Sequence, residues 1–163
     1  MKSIRIPGKI AVILILILAI AYSQMASVTP APDIRFTTIK GEQLSLADLR
    51  GKPVLVTFWA TDCPGCIREI PHLIALQQEF APSGLAIVAI AMDYDPPNRV
   101  VAMAEQKQLP YYVTLDPDAS HARAFGNIRL TPTTFLIDRA GHIVWRTVGV
   151  FDLDEMRHRL TRL

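Results

Sequence analysis

Val54-Leu55-Val56-Thr57-Phe58-Trp59-Ala60-Thr61-Asp62-Cys63-Pro64-Gly65-Cys66 decides how this chain is read. The run Val54–Ala60 is apolar apart from Thr57, which predicts a central strand covered on both faces. It leads into a Cys-Pro-Gly-Cys turn and then into a helical pattern from Ile67 to Phe80. Ile67, Ile70, Leu73, Ile74, Leu76 and Phe80 form the apolar face of that pattern, and Pro71 is expected to kink it. Cys63 and Cys66 are the only cysteines in the chain. A Cys-x-x-Cys at a strand-to-helix junction reads as a redox dithiol.

Thiols at i and i+3, one at a helix start and one a turn later, reach each other with little backbone movement. The first sits where unpaired N–H groups and the positive end of the helix dipole favour a thiolate. The dipole contributes about 0.3–1 kcal/mol, enough to lower a thiol pKa by up to about one. Cys63 is therefore the predicted nucleophile. Cys66, one turn further in, is the predicted resolving thiol and should be the more buried. Pro64, with its preset φ, suits the first turn.

Other uses of two cysteines fit less well. So short a loop makes a weak staple, about 2 kcal/mol on a chain-entropy estimate. Structural zinc needs four ligands, and His72, His121, His142 and His158 show no metal-ligand spacing. Covalent haem requires His after the second Cys, where Ile67 stands. A peroxidase would carry Thr where Ala60 stands. Two readings stay open beside a reductase: a thiol oxidase or isomerase using the same residues, and a Cu(I)-binding protein in which both thiolates join a distant His or Met.

Upstream, residues 1–25 differ in kind from the rest. Lys2, Arg5 and Lys9 precede an unbroken apolar run, Ile10–Tyr22, as in a secretory leader. Ala19-Ile20-Ala21 offers a cleavage site. Left uncut, residues 10–22 with their continuation to Val28 make a marginal membrane anchor. Either way the positive end stays inside and the domain is exported to the periplasmic or extracytoplasmic side. Without the three leader cations the formal charge falls from +2 to −1. No basic stripe remains, which argues against nucleic-acid binding. Residues 26–33 read as a linker and residues 34–163 as one domain. Half of the 163 residues are hydrophobic, enough for a real core.

Within the domain, Ile34–Ile39, Leu85–Met92 and Tyr111–Leu115 read as strands. Gln43–Leu46 reads as a short return, and Ser45 as the cap of a short helix ending at Gly51. Asp95-Pro96-Pro97 starts another helix with Asp95 as cap. Asp118–Phe125 is a short helix closed by Gly126. Thr133–Ile137 and Ile143–Val148 flank Arg139-Ala140-Gly141 as a hairpin. Asp152 and Glu155 resemble a capping box for a last helix. Strands and helices alternate, then a hairpin and a helix close the chain. The pattern predicts an α/β sandwich with a mixed sheet.

The chain resembles the TlpA/ResA group of thioredoxin-fold disulfide reductases. The resemblance rests on Leu49-Arg50-Gly51-Lys52-Pro53-Val54-Leu55-Val56, Phe58-Trp59-Ala60-Thr61, Cys63-Pro64-Gly65-Cys66, Arg68-Glu69 and Pro71. Leu115-Asp116-Pro117-Asp118 and Thr131-Pro132-Thr133-Thr134-Phe135-Leu136-Ile137-Asp138 extend it. It implies a thioredoxin-like three-layer sandwich and an exported or membrane-anchored reductase of protein disulfides, often serving cytochrome c maturation. It implies a membrane thiol donor of the DsbD or CcdA type, and no cofactor beyond the Cys63–Cys66 pair. It also implies that Pro132 is cis and faces the dithiol, with Pro64, Gly65, Thr131 and Pro132 forming the substrate contact. The Thr131 backbone is then expected to pair with an extended substrate segment. Glu69 matches a family glutamate, i+3 from Cys66, and is expected to take a proton from the thiols or tune them.

Three positions depart from the pattern. Thr57 stands where thioredoxins carry a buried Asp, which gives Glu69 more of the proton handling. Asp62 replaces the usual Trp, removing a flat contact surface and placing a negative charge where it should raise the Cys63 pKa. Leu130 replaces a common Gly and reads either as an apolar lip for a partner or as an inward-packing side chain.

Overall fold

The structure, a computed structural model, describes residues 29–163. The leader and its cleavage or anchoring lie outside the described residues. Among the described residues no helix is long and apolar enough to cross a membrane.

Eight strands and four α-helices follow one another: β1 (Thr29–Pro30), β2 (Arg35–Thr37), β3 (Gln43–Ser45), β4 (Val54–Trp59), α1 (Pro64–Phe80), β5 (Ala86–Ala91), α2 (Pro97–Gln106), β6 (Tyr112–Leu115), α3 (Ser120–Ala124), β7 (Thr133–Ile137), β8 (His142–Val148) and α4 (Leu153–Leu160). Six strands form one sheet in the order β1-β8-β7-β4-β5-β6, while β2 and β3 pair separately. β4, β5 and β6 run parallel, and β7, β8 and β1 are added antiparallel. The expected mixed sheet is thus present, with β4 at its centre.

Every residue of β4 and β5 is buried, as continuous apolar runs require when helices cover both faces. Alternation along β4 splits the core in two. Leu55 and Trp59 join Ile70, Leu73 and Leu76 of α1, Val100 of α2 and Met156 of α4 on one face. Val54, Val56 and Phe58 join Ala122, Phe125, Phe135 and the Ile34–Phe36 segment on the other. This is the three-layer arrangement expected.

The boundaries hold several corrections. Thr29 and Pro30, read as linker, pair with Ile143 and His142 of β8. Ordered packing therefore begins before residue 34, because a two-residue pairing leaves no hydrophobic signature. α1 begins at Pro64, ahead of its first periodic apolar residue, and continues through Pro71. Ser45 Oγ accepts from the Asp48 N–H at 3.2 Å, as a cap should, but the element it starts is a single 3-10 turn, Ala47–Leu49. Asp152 caps α4 through the Glu155 N–H at 2.8 Å, yet the Glu155 carboxylate pairs with Arg159 instead of closing a capping box. Asp95 does not cap α2, which starts without a side-chain cap; its carboxylate bonds Thr61.

Candidate active site

The dithiol sits where β4 ends and α1 begins. Cys63 is the N-cap of α1 in extended conformation, with Pro64 in the first turn. Its Sγ accepts the Cys66 N–H at 3.2 Å, so the sulfur itself satisfies one of the orphan donors of the helix start. Cys63 and Cys66 are joined as a disulfide with their Cα atoms 5.3 Å apart. Cys63 is partly exposed, while Cys66 is only 3% exposed. Approach from outside is therefore open to Cys63 and closed to Cys66.

The turn is closely backed. The Thr131–Pro132 bond is cis. A Cβ on Gly65 would lie 3.1 Å from Pro132 Cδ and 3.6 Å from Val150 Cγ2, so a larger residue would need Pro132 to give way slightly. The Gly149 N–H donates to the Pro132 carbonyl at 2.8 Å, tying the end of β8 to the same place. Pro64, Gly65, Thr131 and Pro132 are thus assembled from two distant segments. Leu130 is 65% exposed and points outward, which removes the inward-packing alternative. Its carbonyl accepts the Thr133 hydroxyl at 2.6 Å. Asp62 is exposed beside Cys63.

Glu69 lies one helical turn after Cys66 and is 1% exposed. Its Oε2 accepts the Thr57 hydroxyl at 3.3 Å, and Thr134 Oγ1 lies 3.5 Å away. The Thr134 hydroxyl donates to Thr57 Oγ1 at 2.9 Å, which builds a chain from Thr134 through Thr57 to the carboxylate. Its Oε1 accepts the Phe151 N–H at 3.4 Å. Among the described residues no cation pairs with it. Burial pushes its pKa from 4.5 up to about 7, and the long hydrogen bonds from Phe151 and Thr57, with the Thr134 hydroxyl beside them, only partly offset this. Tyr111, buried nearby, has its hydroxyl pushed up by burial and then by the Glu69 charge.

Thr57 thus takes part in the site that its sequence position suggested. Val150 and Asp95 were not foreseen. The exposed Val at the end of a hairpin strand carries no signal until the hairpin is folded. Among the described residues no group of three His, Cys, Asp or Glu side chains is placed to hold a metal.

A sequence profile of the Redoxin family matches residues 26–160. The chain belongs to the Redoxin family. Within that family it is TlpA/ResA-like. It is 30% identical to a thiol-disulfide oxidoreductase ResA of Geobacillus kaustophilus, over 98% of this chain and 96% of that protein. It is 36% identical to the thioredoxin-like protein YneN of Bacillus subtilis, over 80% of this chain and 76% of that one. A solved thiol:disulfide interchange protein from Chlorobium tepidum superposes with a TM-score of 0.76 at 31% identity, covering 83% of this chain and 95% of its own. This Redoxin member is a thiol–disulfide oxidoreductase with a thioredoxin fold.

Proposed function

We propose that this oxidoreductase works as an exported reductant of protein disulfides, with Cys63 as nucleophile, Cys66 as resolving thiol and Glu69 as proton acceptor. The Cys63 thiolate attacks a substrate disulfide, forming a mixed disulfide and releasing one substrate thiolate, which takes a proton from water. Cys66 gives its proton to the Glu69 carboxylate and attacks the Cys63 sulfur. The Cys63–Cys66 bond forms, the mixed disulfide breaks, and the second substrate thiolate leaves. Two electrons pass to the substrate.

The observation that carries this reading is the buried Glu69 carboxylate, without a cationic partner and with its pKa raised to about 7. A group that titrates near neutrality is suited to accept and return a thiol proton at each turnover. Thr131 and the cis Pro132 supply the face on which an extended substrate segment pairs. The apolar run with its basic flank in residues 1–25 supports export, by cleavage or with residues 10–22 kept as an anchor. The family resemblance supports clients such as those of cytochrome c maturation and a DsbD- or CcdA-type membrane donor.

Two measurements test this. Cys66→Ala should trap a mixed disulfide through Cys63, and failure to trap removes the mechanism. Equilibration with thiol redox buffers should give a potential near or below about −250 mV. A value near about −120 mV makes the protein an oxidant and reverses the proposal.

A further inference from the structure

Asp95 stands just before Pro96-Pro97 at the start of α2, where an Asp ordinarily caps its own helix. α2 has no such cap, and the carboxylate turns instead to the segment that delivers Cys63. Its Oδ2 accepts the Thr61 N–H and its Oδ1 accepts the Thr61 hydroxyl, both at 2.6 Å. Both bonds are short and charge-assisted, and Asp95 is 5% exposed. Thr61 lies inside the turn closed by the Cys63 N–H on the Ala60 carbonyl at 3.3 Å. On its other side the Asp95 N–H donates to the Met92 carbonyl, and the Met92 N–H donates to the Trp59 carbonyl, each at 3.0 Å. The loop after β5 is thereby fastened at two points to the end of β4. A buried carboxylate costs more than an apolar side chain in the same space, and here that cost is offset by its two bonds to Thr61.

We propose that Asp95 is a positioning residue for the redox couple: through Thr61 it fixes the turn that presents the Cys63 sulfur to Cys66. The proposal rests on Cys63–Cys66 being the working couple. Two effects follow, and they act in the same direction. A fixed turn keeps the two thiols in reach of each other, with the Cα atoms 5.3 Å apart, which raises the effective concentration of one at the other. A buried negative charge bonded two residues from Cys63 also disfavours a neighbouring thiolate. Both stabilise the disulfide against the dithiol, so loss of Asp95 should make the protein more oxidising.

The test is equilibration with glutathione. The protein dithiol gives two electrons and two protons to glutathione disulfide, which becomes two glutathione thiols, as the Cys63–Cys66 bond forms. The constant is measured for the intact protein and for Asp95→Asn, Asp95→Ala, Thr61→Val and Thr61→Ser. The pH profile of Cys63 alkylation and a circular dichroism spectrum accompany each. Asp95→Ala should lower the constant for disulfide formation about tenfold, and Asp95→Asn and Thr61→Val about threefold. Thr61→Ser, which keeps both donors, should retain it. The alkylation profile of Asp95→Asn should move to lower pH. If the Asp95 variants do not fold, Thr61→Val decides, since it loses the hydroxyl bond and keeps the N–H. Folded variants whose constants stay within about twofold of the parent, with unmoved alkylation profiles, overturn the proposal. A parent protein that does not exchange with glutathione at all overturns the redox reading itself, a different result.

Discussion

The two faces of the central sheet are made from the same strands and both carry an apolar core, but only one also buries a polar cluster. On β4, Phe58 faces one side and Thr57 the other; on β7, Phe135 and Thr134 do the same. The Phe58 side is an aromatic cluster, with ring centroids of Phe58, Phe125 and Phe135 between 4.8 and 6.2 Å apart. The Thr57 side carries a carboxylate. Thr57 and Thr134 are register partners across β4 and β7, and the pair holds up Glu69 at the level of the dithiol helix. One face therefore contributes stability through packing alone, while the other packs as well and also accepts a buried ionisable group. Alternation along two adjacent strands is enough to separate the two tasks.

Substitutions can break this contrast. Phe58→Ala should cost the most, about 3–5 kcal/mol of stability, while leaving the redox potential of the folded protein unchanged. Denaturant unfolding beside a potential measurement checks both halves. A changed potential would mean the faces are coupled.

Glu69→Gln comes next. The folded protein holds the Glu69 proton up to about pH 7, whereas the unfolded chain releases it near 4.5. Stability from this group is therefore complete below pH 4.5 and is lost as pH rises through 7. The loss corresponds to roughly 3 kcal/mol. In the oxidised protein Glu69→Gln should abolish that decline, making the variant more stable than the parent at pH 8. The resolving step should slow at neutral pH in the same variant. A parent whose stability is flat from pH 5 to 8 contradicts the assignment.

Thr57→Val should cost about 1–2 kcal/mol, since it removes a donor from a buried acceptor. It should push the Glu69 pKa above its present value of about 7, because one stabilising hydrogen bond to the charged form is gone. Carboxyl chemical shifts followed against pH read this directly. Leu130→Ser should change stability least, within about 0.5 kcal/mol, because the side chain is exposed. It should slow exchange several-fold with peptide disulfides flanked by apolar residues and spare polar ones. Equal rates for the two peptides would leave Leu130 without a role in partner choice.

The strands of both faces were legible because long apolar runs and 3.6-residue spacing are local signals. The dithiol was legible for the same reason. Glu69 was read as a site residue through resemblance, but its burial had a signal of its own. Cys66, Glu69, Ile70, Leu73 and Leu76 are the buried residues of α1, spaced by threes and fours, and only its charge kept Glu69 out of the apolar stripe. Asp95 was misread because Asp-Pro-Pro is a strong local cap signal, whereas its partner Thr61 lies 34 residues away. Thr29 and Pro30 gave no signal, since a pairing of two residues rests wholly on β8. Asp95 and the β1 pairing were decided by contacts distant in sequence, whereas Glu155 was drawn off by Arg159 only four residues on.

The brief β1 pairing has one more consequence. It covers two of the seven residues of β8, and at the far margin the Thr38–Thr114 bridge and the Ile39 N–H on the Val113 carbonyl cover part of β6. An open strand edge can template another chain strand by strand. The short pairing at each margin shortens the run of free backbone groups there, while Val144–Val148 of β8 stay outside the β1 pairing, with Val144 and Val148 exposed.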